Sequence, residues 1–303
     1  MASPCQGIHN GGAALLISPS PNASAALAER SRREWVAILR RRGIQPSRAM
    51  GQNFLVDPGI VRRIVTVADV ASGDLVVEIG AGMGILTRDL LRTGADVIAI
   101  ELDHELKTFL EEDLGGASNL HLVERDARHV DIAELVGDRP YQVVANLPYS
   151  VATVVIRHFF EVRSAPARMT VMVQREVAER MVAMPPKMSL LALATQLNAE
   201  AEIAFVVPRD VFVPPPKVES AVVRLCTREG SQRTSSQRDR MFALATMAFQ
   251  RKRKTISNGL SQGLDVPKDV VDDHLDSVDI DPQRRPQTLE LEEWLRIAEA
   301  LPQ

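Results

Sequence analysis

Three glycines on alternate positions follow an acidic residue close to position 80. Gly80, Gly82 and Gly84 form a G-x-G-x-G loop, and Glu78 stands two residues before the first glycine. This spacing differs from the G-x-G-x-x-G of dinucleotide sites, and a carboxylate beside the loop suits an ammonium or sulfonium group better than a pyrophosphate. The residues therefore favour S-adenosylmethionine over NAD as the ligand. A tight turn that binds nothing is the alternative interpretation.

Acidic residues after the next two predicted strands extend this ligand site. Glu101 and Asp103 stand about 20 residues beyond the glycine loop, where related folds place the acid that accepts the ribose hydroxyls. Asp126, followed by Ala127, ends the next predicted strand and is placed to accept a hydrogen bond from an adenine amino group. Glu101 or Asp103 can instead simply cap the helix that follows, and both roles are open at this point.

The tetrapeptide Asn146-Leu147-Pro148-Tyr149 offers groups that can hold a reacting amine, which the glycine loop does not. Asn146 and the neighbouring backbone offer carbonyl oxygens to an amine, Pro148 fixes the turn, and Tyr149 offers a flat face on which a planar ring can stack. Hydrogen bonds to an exocyclic amine favour a more pyramidal nitrogen with a freer lone pair, and methyl transfer then depends mainly on positioning and electrostatics. A plain turn from strand to helix is the alternative.

A polar loop ahead of the first helix of this region adds further candidates. Gln52 and Asn53 precede the apolar Leu55, which predicts a loop pinned by an apolar anchor. Their side chains can contact a ligand or form an Asx-type cap, and the pattern alone favours the cap. Asp57 followed by Pro58 predicts the start of a helix.

Short apolar runs alternate with amphipathic segments over most of the chain, which predicts a mostly parallel α/β sheet with helices on both faces. Beyond about residue 232 no strand-like run occurs, so a helical domain is predicted there. The predicted organisation is a partly disordered N-terminal extension (1–45), an α/β domain (46–228) and a small all-helical domain (229–303). The predicted strands are 75–79, 96–100, 120–123, 141–145, 168–173, 201–207 and 218–226.

The charge of the 303-residue chain is unevenly distributed. The net charge is −3, but the segment from Arg224 to Asn258 carries nine Lys and Arg against two acids, a local charge of +7. Such an island suits phosphate contact, with a solvated helix surface as the alternative. Two cysteines, no secretory signal, no membrane-length apolar run and no metal-ligand motif predict a cytoplasmic protein without a membrane segment or a metal.

Six motifs in order resemble those of the ribosomal RNA adenine N6-dimethyltransferases, most closely the branch that acts on small-subunit (16S) rRNA. The resemblance runs from about Ser47 to Ile297. The motifs are Gly51-Gln-Asn-Phe-Leu55, Glu78-Ile-Gly-Ala-Gly-Met-Gly-Ile-Leu-Thr87, Glu101-Leu-Asp103, Asn146-Leu-Pro-Tyr149, Phe212-Val-Pro-Pro-Pro-Lys-Val-Glu-Ser220 and Phe249-Gln-Arg-Lys-Arg-Lys-Thr255.

The resemblance implies a Rossmann-like S-adenosylmethionine-dependent methyltransferase domain with a C-terminal helical domain, acting as a monomer on the small ribosomal subunit. It implies two methyl transfers to each of two adjacent adenines in a hairpin near the 3′ end of the rRNA, with S-adenosylhomocysteine as the product and no metal. The implied cofactor-binding residues are Gln52, Asn53, Leu55, Gly80, Gly82, Glu101, Asp126, Ala127 and Asn146. Asn146, Leu147, Pro148 and Tyr149 would hold the target adenine, with Phe212 as a second stacking face, and Arg251, Lys252, Arg253 and Lys254 would contact the rRNA backbone.

Two alternative functions fit the same motifs. A sister enzyme of the family acts on large-subunit rRNA, but Leu147 replaces the Ile common in that branch, and the basic helical tail also disfavours it. A non-enzymatic RNA-binding assembly factor is disfavoured by the retained Glu101, Asp126 and Asn146. The segment 184–190 departs from the family pattern, because it lacks the usual Gly and Tyr before its Ser. This difference weakens any RNA contact predicted there.

Overall fold

The computed structural model describes residues 27–47, 51–162, 164–228, 235–251 and 253–301. The residues group into two compact units, the first formed by residues up to 178 together with 202–227, the second by 179–201 together with 228 onward. None of the helices in these described ranges combines the length and apolarity needed to cross a bilayer. Residues 1–26 of the predicted extension lie outside the described residues.

The helices and strands follow one another in the alternating order that the sequence predicts. In chain order they are α1 (Arg32–Arg42), β1 (Phe54–Leu55), α2 (Pro58–Ala68), β2 (Leu75–Ile79), α3 (Ile85–Arg92), β3 (Asp96–Glu101), α4 (His104–Leu114), β4 (Leu120–Glu124), α5 (Ile132–Val136), β5 (Tyr141–Asn146), α6 (Ala152–Glu161), β6 (Arg168–Gln174), α7 (Arg175–Met181), α8 (Leu190–Asn198), β7 (Ala199–Val207), β8 (Phe212–Val213), β9 (Ser220–Thr227), α9 (Ser235–Phe249), α10 (Ile256–Leu264), α11 (Lys268–Asp276) and α12 (Leu291–Ala300).

The first unit is built on a seven-stranded sheet of order β4-β3-β2-β5-β6-β9-β7. The five strands from β4 to β6 are parallel, and β9 runs antiparallel to β6. The chain leaves β2 toward β3 and β4 on one side and then returns to β5 and β6 on the other. The strand order therefore reverses between β2 and β5, and the crevice at such a point is where doubly wound sheets bind ligands.

Both faces of this sheet are covered, as the continuous apolar strands require. Val76, Val97 and Val144 point into one core cluster, which they share with residues of α1 to α4. The alternate residues Val77 and Val143 are also fully buried. The predicted Rossmann-like α/β architecture is thus confirmed, with strand ends that differ from the predicted ones by at most two residues among β2 to β7.

Helix α1 lies within the segment predicted as an N-terminal extension, and it is part of the first unit. Ser31 caps the helix through a capping box with Glu34, so α1 begins at Arg32. Trp35 is 1% exposed and belongs to the same core cluster as the sheet. Residues 32–42 are therefore an integral part of this fold.

The second unit is helical and has its own apolar core. Helices α8 to α12 contribute to a cluster centred on the fully buried Trp294, whose indole stacks on Phe249 at 5.7 Å between ring centroids. The sequence predicts the start of this domain at residue 229 and assigns 179–201 to the α/β domain. The structure groups 179–201 with the C-terminal helices because Leu193 and Leu197 of α8 share their core.

Candidate active site

A cleft of about 720 Å³, open to solvent, lies at the carboxyl ends of β2, β3 and β5. This is the position of the strand-order reversal, so the fold itself places the cleft. The lining residues are Gly51, Gln52, Asn53, Phe54, Leu55, Glu78, Gly80, Ala81, Gly82, Met83, Ile85, Leu86, Glu101, Leu106, Asn146, Leu147, Pro148 and Tyr149.

Glycine is required at two positions of the loop after β2. Gly80 has φ +72°, and a Cβ there would lie 3.7 Å from Pro148 Cδ and 3.8 Å from the Asn146 carbonyl oxygen, where it would fill part of the cleft. Gly84 has φ +75°, and its Cβ would stand 2.6 Å from Leu110 Cδ2 of α4. The first glycine keeps bare backbone open toward a ligand, and the second allows α3 and α4 to pack closely.

Glu101 at the end of β3 holds the glycine loop in place. Its Oε2 accepts a hydrogen bond from the Gly82 N–H at 2.8 Å, and its Oε1 accepts from the N–H groups of Leu102 and Asp103 at 2.9 and 3.0 Å. Burial raises the pKa of the Glu101 carboxyl, although the backbone donors oppose that shift. Oε2 accepts only this one bond within the described residues and keeps lone-pair capacity for a further donor.

Glu78 is a buried acid whose charge has little compensation. It is 1% exposed and lines the cleft, and within the described residues its Oε2 has no hydrogen-bond partner. Burial, with a smaller contribution from the nearby Glu101, raises the pKa of Glu78 to about 8. A cation in the cleft would stabilise the ionised carboxylate, which supports the sequence-based choice of a sulfonium or ammonium ligand.

The loop before α2 forms another wall of the cleft. Gln52 Oε1 accepts from the Ser47 N–H at 2.7 Å, and Gln52 Nε2 donates to Asp103 Oδ2 at 3.3 Å. Asn53 Nδ2 donates to the Gly51 carbonyl at 3.1 Å. Asp103 is also the N-cap of α4, so the capping role that the sequence left open falls to Asp103.

The Asn146-to-Tyr149 turn faces the glycine loop across the cleft. Within the part of the chain that the structure describes, the Asn146 side chain has no hydrogen-bond partner, so its amide oxygen is available to a ligand. The Tyr149 hydroxyl is 2.6 Å from Ser220 Oγ, a fully buried group on β9. Burial raises the pKa of Tyr149, and its hydroxyl therefore stays neutral at ordinary pH.

Asp126 and Ala127, predicted to bind the cofactor, are not among the residues that line this cleft. Asp126 is held by Arg128, with Arg128 Nη2 2.6 Å from Asp126 Oδ2 and the Arg128 N–H 2.9 Å from Oδ1. The hydrogen bonds from Arg128 lower the pKa of Asp126 to about 2. A role in holding an adenine amino group stays a prediction for Asp126.

Phe212 also lies away from the cleft lining. Its side chain is 1% exposed, because β8 pairs with β1 and Phe212 packs in the core beside its register partner Leu55. A stacking role would require Phe212 to leave this packing, and that role stays a prediction as well.

The described residues of the basic island belong to both compact units. Arg224 belongs to the first unit and forms an ion pair with Glu202, and Arg238 of the second unit donates to Asn198 Oδ1 at 2.6 Å. Arg251, Arg253 and Lys254 are exposed in the segment between α9 and α10. Lys252 lies outside the described residues.

Sequence reasoning missed several residues of the site. Ser220 ends the Phe212-to-Ser220 motif, but its hydrogen bond with Tyr149 was not predicted, because that link spans 71 positions of the chain. Leu106 lines the cleft and could have been found as the first inward residue of α4 after its Asp103 cap. Among the described residues, no group of three or more His, Cys, Asp or Glu side chains is arranged to hold a metal ion.

Comparison with known proteins gives one consistent family. Residues 45–303 match the family described as "Ribosomal RNA adenine dimethylase". A relative from Moorella thermoacetica named "Ribosomal RNA small subunit methyltransferase A" is 41% identical over 277 residues, which cover 88% of this chain and 96% of the relative. A relative of the same name from Dehalococcoides mccartyi is 37% identical over 284 residues, or 93% of this chain and 95% of the relative.

Two solved structures share the fold over most of the chain. A dimethyladenosine transferase from Plasmodium falciparum is 29% identical, with a TM-score of 0.69, and the match covers 80% of this chain and 94% of that chain. The 23S rRNA methyltransferase ErmE is 27% identical, with a TM-score of 0.66, and the match covers 82% of this chain and 99% of that chain.

Proposed function

The chain belongs to the ribosomal RNA adenine dimethylase family, and from this premise we propose that it methylates two adjacent adenosines in a hairpin near the 3′ end of small-subunit (16S) rRNA. It is an S-adenosylmethionine-dependent rRNA adenine dimethyltransferase. Each target N6 amine receives two methyl groups, which gives N6,N6-dimethyladenosine. The small-subunit target is supported by the names of the relatives that match nearly the whole chain.

The cleft suits S-adenosylmethionine, which supplies an activated methyl group on a sulfonium. Two observations carry this fit: the unpartnered buried carboxyl oxygen of Glu78, and the open backbone at Gly80, where a Cβ would take up the space. Glu101 is placed to accept ribose hydroxyls while it holds the Gly82 N–H. Gln52, Asn53 and Leu55 close the other side of the cleft.

Asn146 and Tyr149 are the residues that we assign to the adenine. The Asn146 amide oxygen accepts a hydrogen bond from the N6 amine, which favours a pyramidal nitrogen with its lone pair free to attack. The Tyr149 ring provides the stacking face for the extruded base. Because both side chains share the cleft with the glycine loop, a base held there lies beside the methyl donor.

The helical unit supplies the proposed contact with the ribosome. Arg251, Arg253 and Lys254 are exposed and suited to the rRNA backbone. We place the protein in the cytoplasm as a monomer that acts on the assembling small subunit during ribosome biogenesis.

Methyl transfer to undermodified ribosomes tests this function. Labelled S-adenosylmethionine is incubated with the protein and with small subunits from a strain that lacks the modification, and dimethyladenosine is expected in the 16S rRNA. The Asn146→Ala variant serves as the matched control, with methylation lost and rRNA binding retained. Absence of label in the small subunit would remove the proposal, and methylation by the variant would remove the role of Asn146.

Large-subunit rRNA is the competing substrate, because the fold also matches a 23S rRNA methyltransferase. Protein-free 23S rRNA is therefore included in the same assay. Transfer to that RNA alone would reverse the choice of substrate while leaving the chemistry of the cleft unchanged.

A further inference from the structure

Helix α1 has two distinct faces. Trp35, Ile38 and Leu39 are buried and pack on the first unit. On the opposite side Arg33, Ala37, Arg40 and Arg41 are all exposed, and they recur at i, i+4, i+7 and i+8, which places them on one face of a helix. The solvent side of α1 thus presents three arginines in a row.

These three arginines differ from the other arginines near them. Arg30 and Arg42, on the packed side, pair with Asp113 and Glu112 of α4. Within the described ranges, no carboxylate lies at ion-pair distance from Arg33, Arg40 or Arg41. Their guanidinium donors are therefore free to bind an anionic partner, and arginine can hold a phosphate through two parallel hydrogen bonds.

The helix dipole does not account for the whole arginine face. Cations in the last turn of α1, such as Arg40 and Arg41, stabilise a helix whether or not they bind anything. Arg33, however, stands in the first turn, where a positive charge opposes the dipole. A position that costs the helix stability is better explained by a partner outside the helix.

The helix that carries the arginine face is anchored to the first unit through Trp35. Trp35 is flanked by the guanidinium groups of Arg30 and Arg88, at 5.0 and 5.7 Å from its ring centroid, and both arginines bind Asp113. Gly43, just after α1, is eight residues from Gly51 on the cleft wall, so at most roughly 28 Å separates them. A bound RNA can therefore touch both places.

We propose that Arg33, Arg40 and Arg41 form a second rRNA-binding surface. This surface binds the sugar–phosphate backbone next to the segment whose adenines enter the cleft. This inference rests on the proposed function, because it takes rRNA as the anionic partner. The surface contributes affinity and register, and the chemistry at the methyl group does not depend on it.

The test compares the full-length Arg33→Gln/Arg40→Gln/Arg41→Gln variant with the unaltered protein. Binding to a 16S rRNA transcript is measured between 50 and 200 mM salt, and methyl transfer is measured on undermodified small subunits. Each lost phosphate contact lowers the salt slope by about 0.7 to 0.9, so the slope should fall by about 2 to 3. The KM for the subunit should rise at least about tenfold, with kcat and cofactor affinity unchanged.

A second triple variant controls for lost charge. Arg62, Arg92 and Arg139 are exposed arginines of the same unit, and each pairs with a carboxylate. Replacing all three by Gln removes the same formal charge and should leave the salt slope within experimental error. An equal fall in slope for both variants would overturn the proposal, as would an unchanged slope in the first.

Two outcomes are kept apart by the design. Failure of the unaltered protein to methylate small subunits would count against the proposed function, whereas the slope on naked rRNA still reports on the arginine face.

The single Arg33→Gln variant guards against a folding defect, because removing that charge should not lower the Tm of the protein. It should reduce the slope by about one. An unchanged slope together with weaker binding of the triple variant to anionic vesicles would assign the face to a lipid surface and overturn the inference.

Discussion

The buried Ser220 hydroxyl holds the hydroxyl of Tyr149, the residue that lines the proposed adenine site. At 2.6 Å the two hydroxyls share one hydrogen bond, and Ser220 has no exposure to water that could replace it. The Ser220→Ala variant should therefore let the ring reorient. A lost hydrogen bond of about 1 kcal/mol corresponds to a fall in kcat of roughly fivefold, measured by methyl transfer at saturating RNA.

Tyr149→Phe keeps the ring and removes the same bond, so the two changes should not be additive in a double-mutant cycle. Tyr141 offers a matched control, because its hydroxyl donates to the Ser164 carbonyl at 2.6 Å outside the cleft. Tyr141→Phe should lower stability slightly and leave kcat alone. Additive losses for the pair at the site would show that Ser220 does not act through Tyr149.

Glu78 should make the stability of the ligand-free protein depend on pH. Its pKa is raised to about 8 in the fold by burial, against 4.5 for the free side chain. Below about pH 4.5 the carboxyl is neutral in both the folded and the unfolded state. As pH rises toward 8, only the unfolded state ionises readily, so the free energy of unfolding falls across this window and then levels off.

The Glu78→Gln variant lacks this titration. We measure its free energy of unfolding by urea denaturation from pH 5 to 8.5. The difference between this value and that of the unaltered protein should shift in favour of the variant as pH rises. The same variant should bind S-adenosylmethionine more weakly, because the cation loses its carboxylate. Parallel stability curves for the two proteins would contradict the buried, neutral state of Glu78.

At the scale of elements, the junction between the glycine loop and α3 depends on Gly84. An Ala there would suffer both a left-handed φ and a Cβ only 2.6 Å from Leu110. Gly73 is a matched control, because it has φ +84° with nothing within 4 Å of a Cβ. Gly73→Ala should cost about 1 kcal/mol from backbone strain, and Gly84→Ala about 2 to 4 kcal/mol in urea unfolding. Equal losses would show that α4 simply moves aside.

The elements themselves were largely predictable from the sequence, because their signals are local. Strand β2 occupies Leu75–Ile79 as predicted, since the apolar run is bounded by Asp74 and by a glycine that must turn. Asp57 caps α2 as its pattern indicated. The pairing of β1 with β8, in contrast, joins segments far apart in the chain, and neither two-residue strand has a periodicity to detect.

The lining of the cleft was predictable where the topology brings strand ends together, but not where tertiary packing determines the position of a side chain. Glu101 and Asn146 follow strands whose carboxyl ends must meet in a parallel sheet, so their proximity follows from the topology. The burial of Phe212 and the Arg128 partner of Asp126 depend on tertiary contacts that no motif encodes.

At the scale of the whole molecule, the proposed chemistry and the proposed ribosome contact fall on different compact units. The cleft lies entirely within the first unit, whereas Arg251, Arg253 and Lys254 belong to the second. The proposed chemistry and the proposed ribosome contact can therefore be separated by mutation. The chain resembles both a solved 23S rRNA methyltransferase and relatives named for the small subunit, so the choice of substrate is expected to depend on contacts beyond the cleft.

Replacing Arg251, Arg253 and Lys254 by Gln should weaken binding to the small subunit without changing the cleft. With three phosphate contacts removed, the KM for the subunit should rise roughly tenfold or more at 150 mM salt. The Kd for S-adenosylmethionine, measured by calorimetry, should stay the same because no lining residue changes.

An equal charge removed elsewhere in the second unit provides the comparison. Lys268, Arg285 and Arg296 are exposed cations of that unit, and Lys268 already pairs with Asp272. Their replacement by Gln should change the KM for the subunit by less than about twofold, since a general loss of charge acts weakly through a screening solvent. If both triple variants raised KM alike, the segment between α9 and α10 would have no special contact with rRNA, and net charge alone would explain its basic sequence.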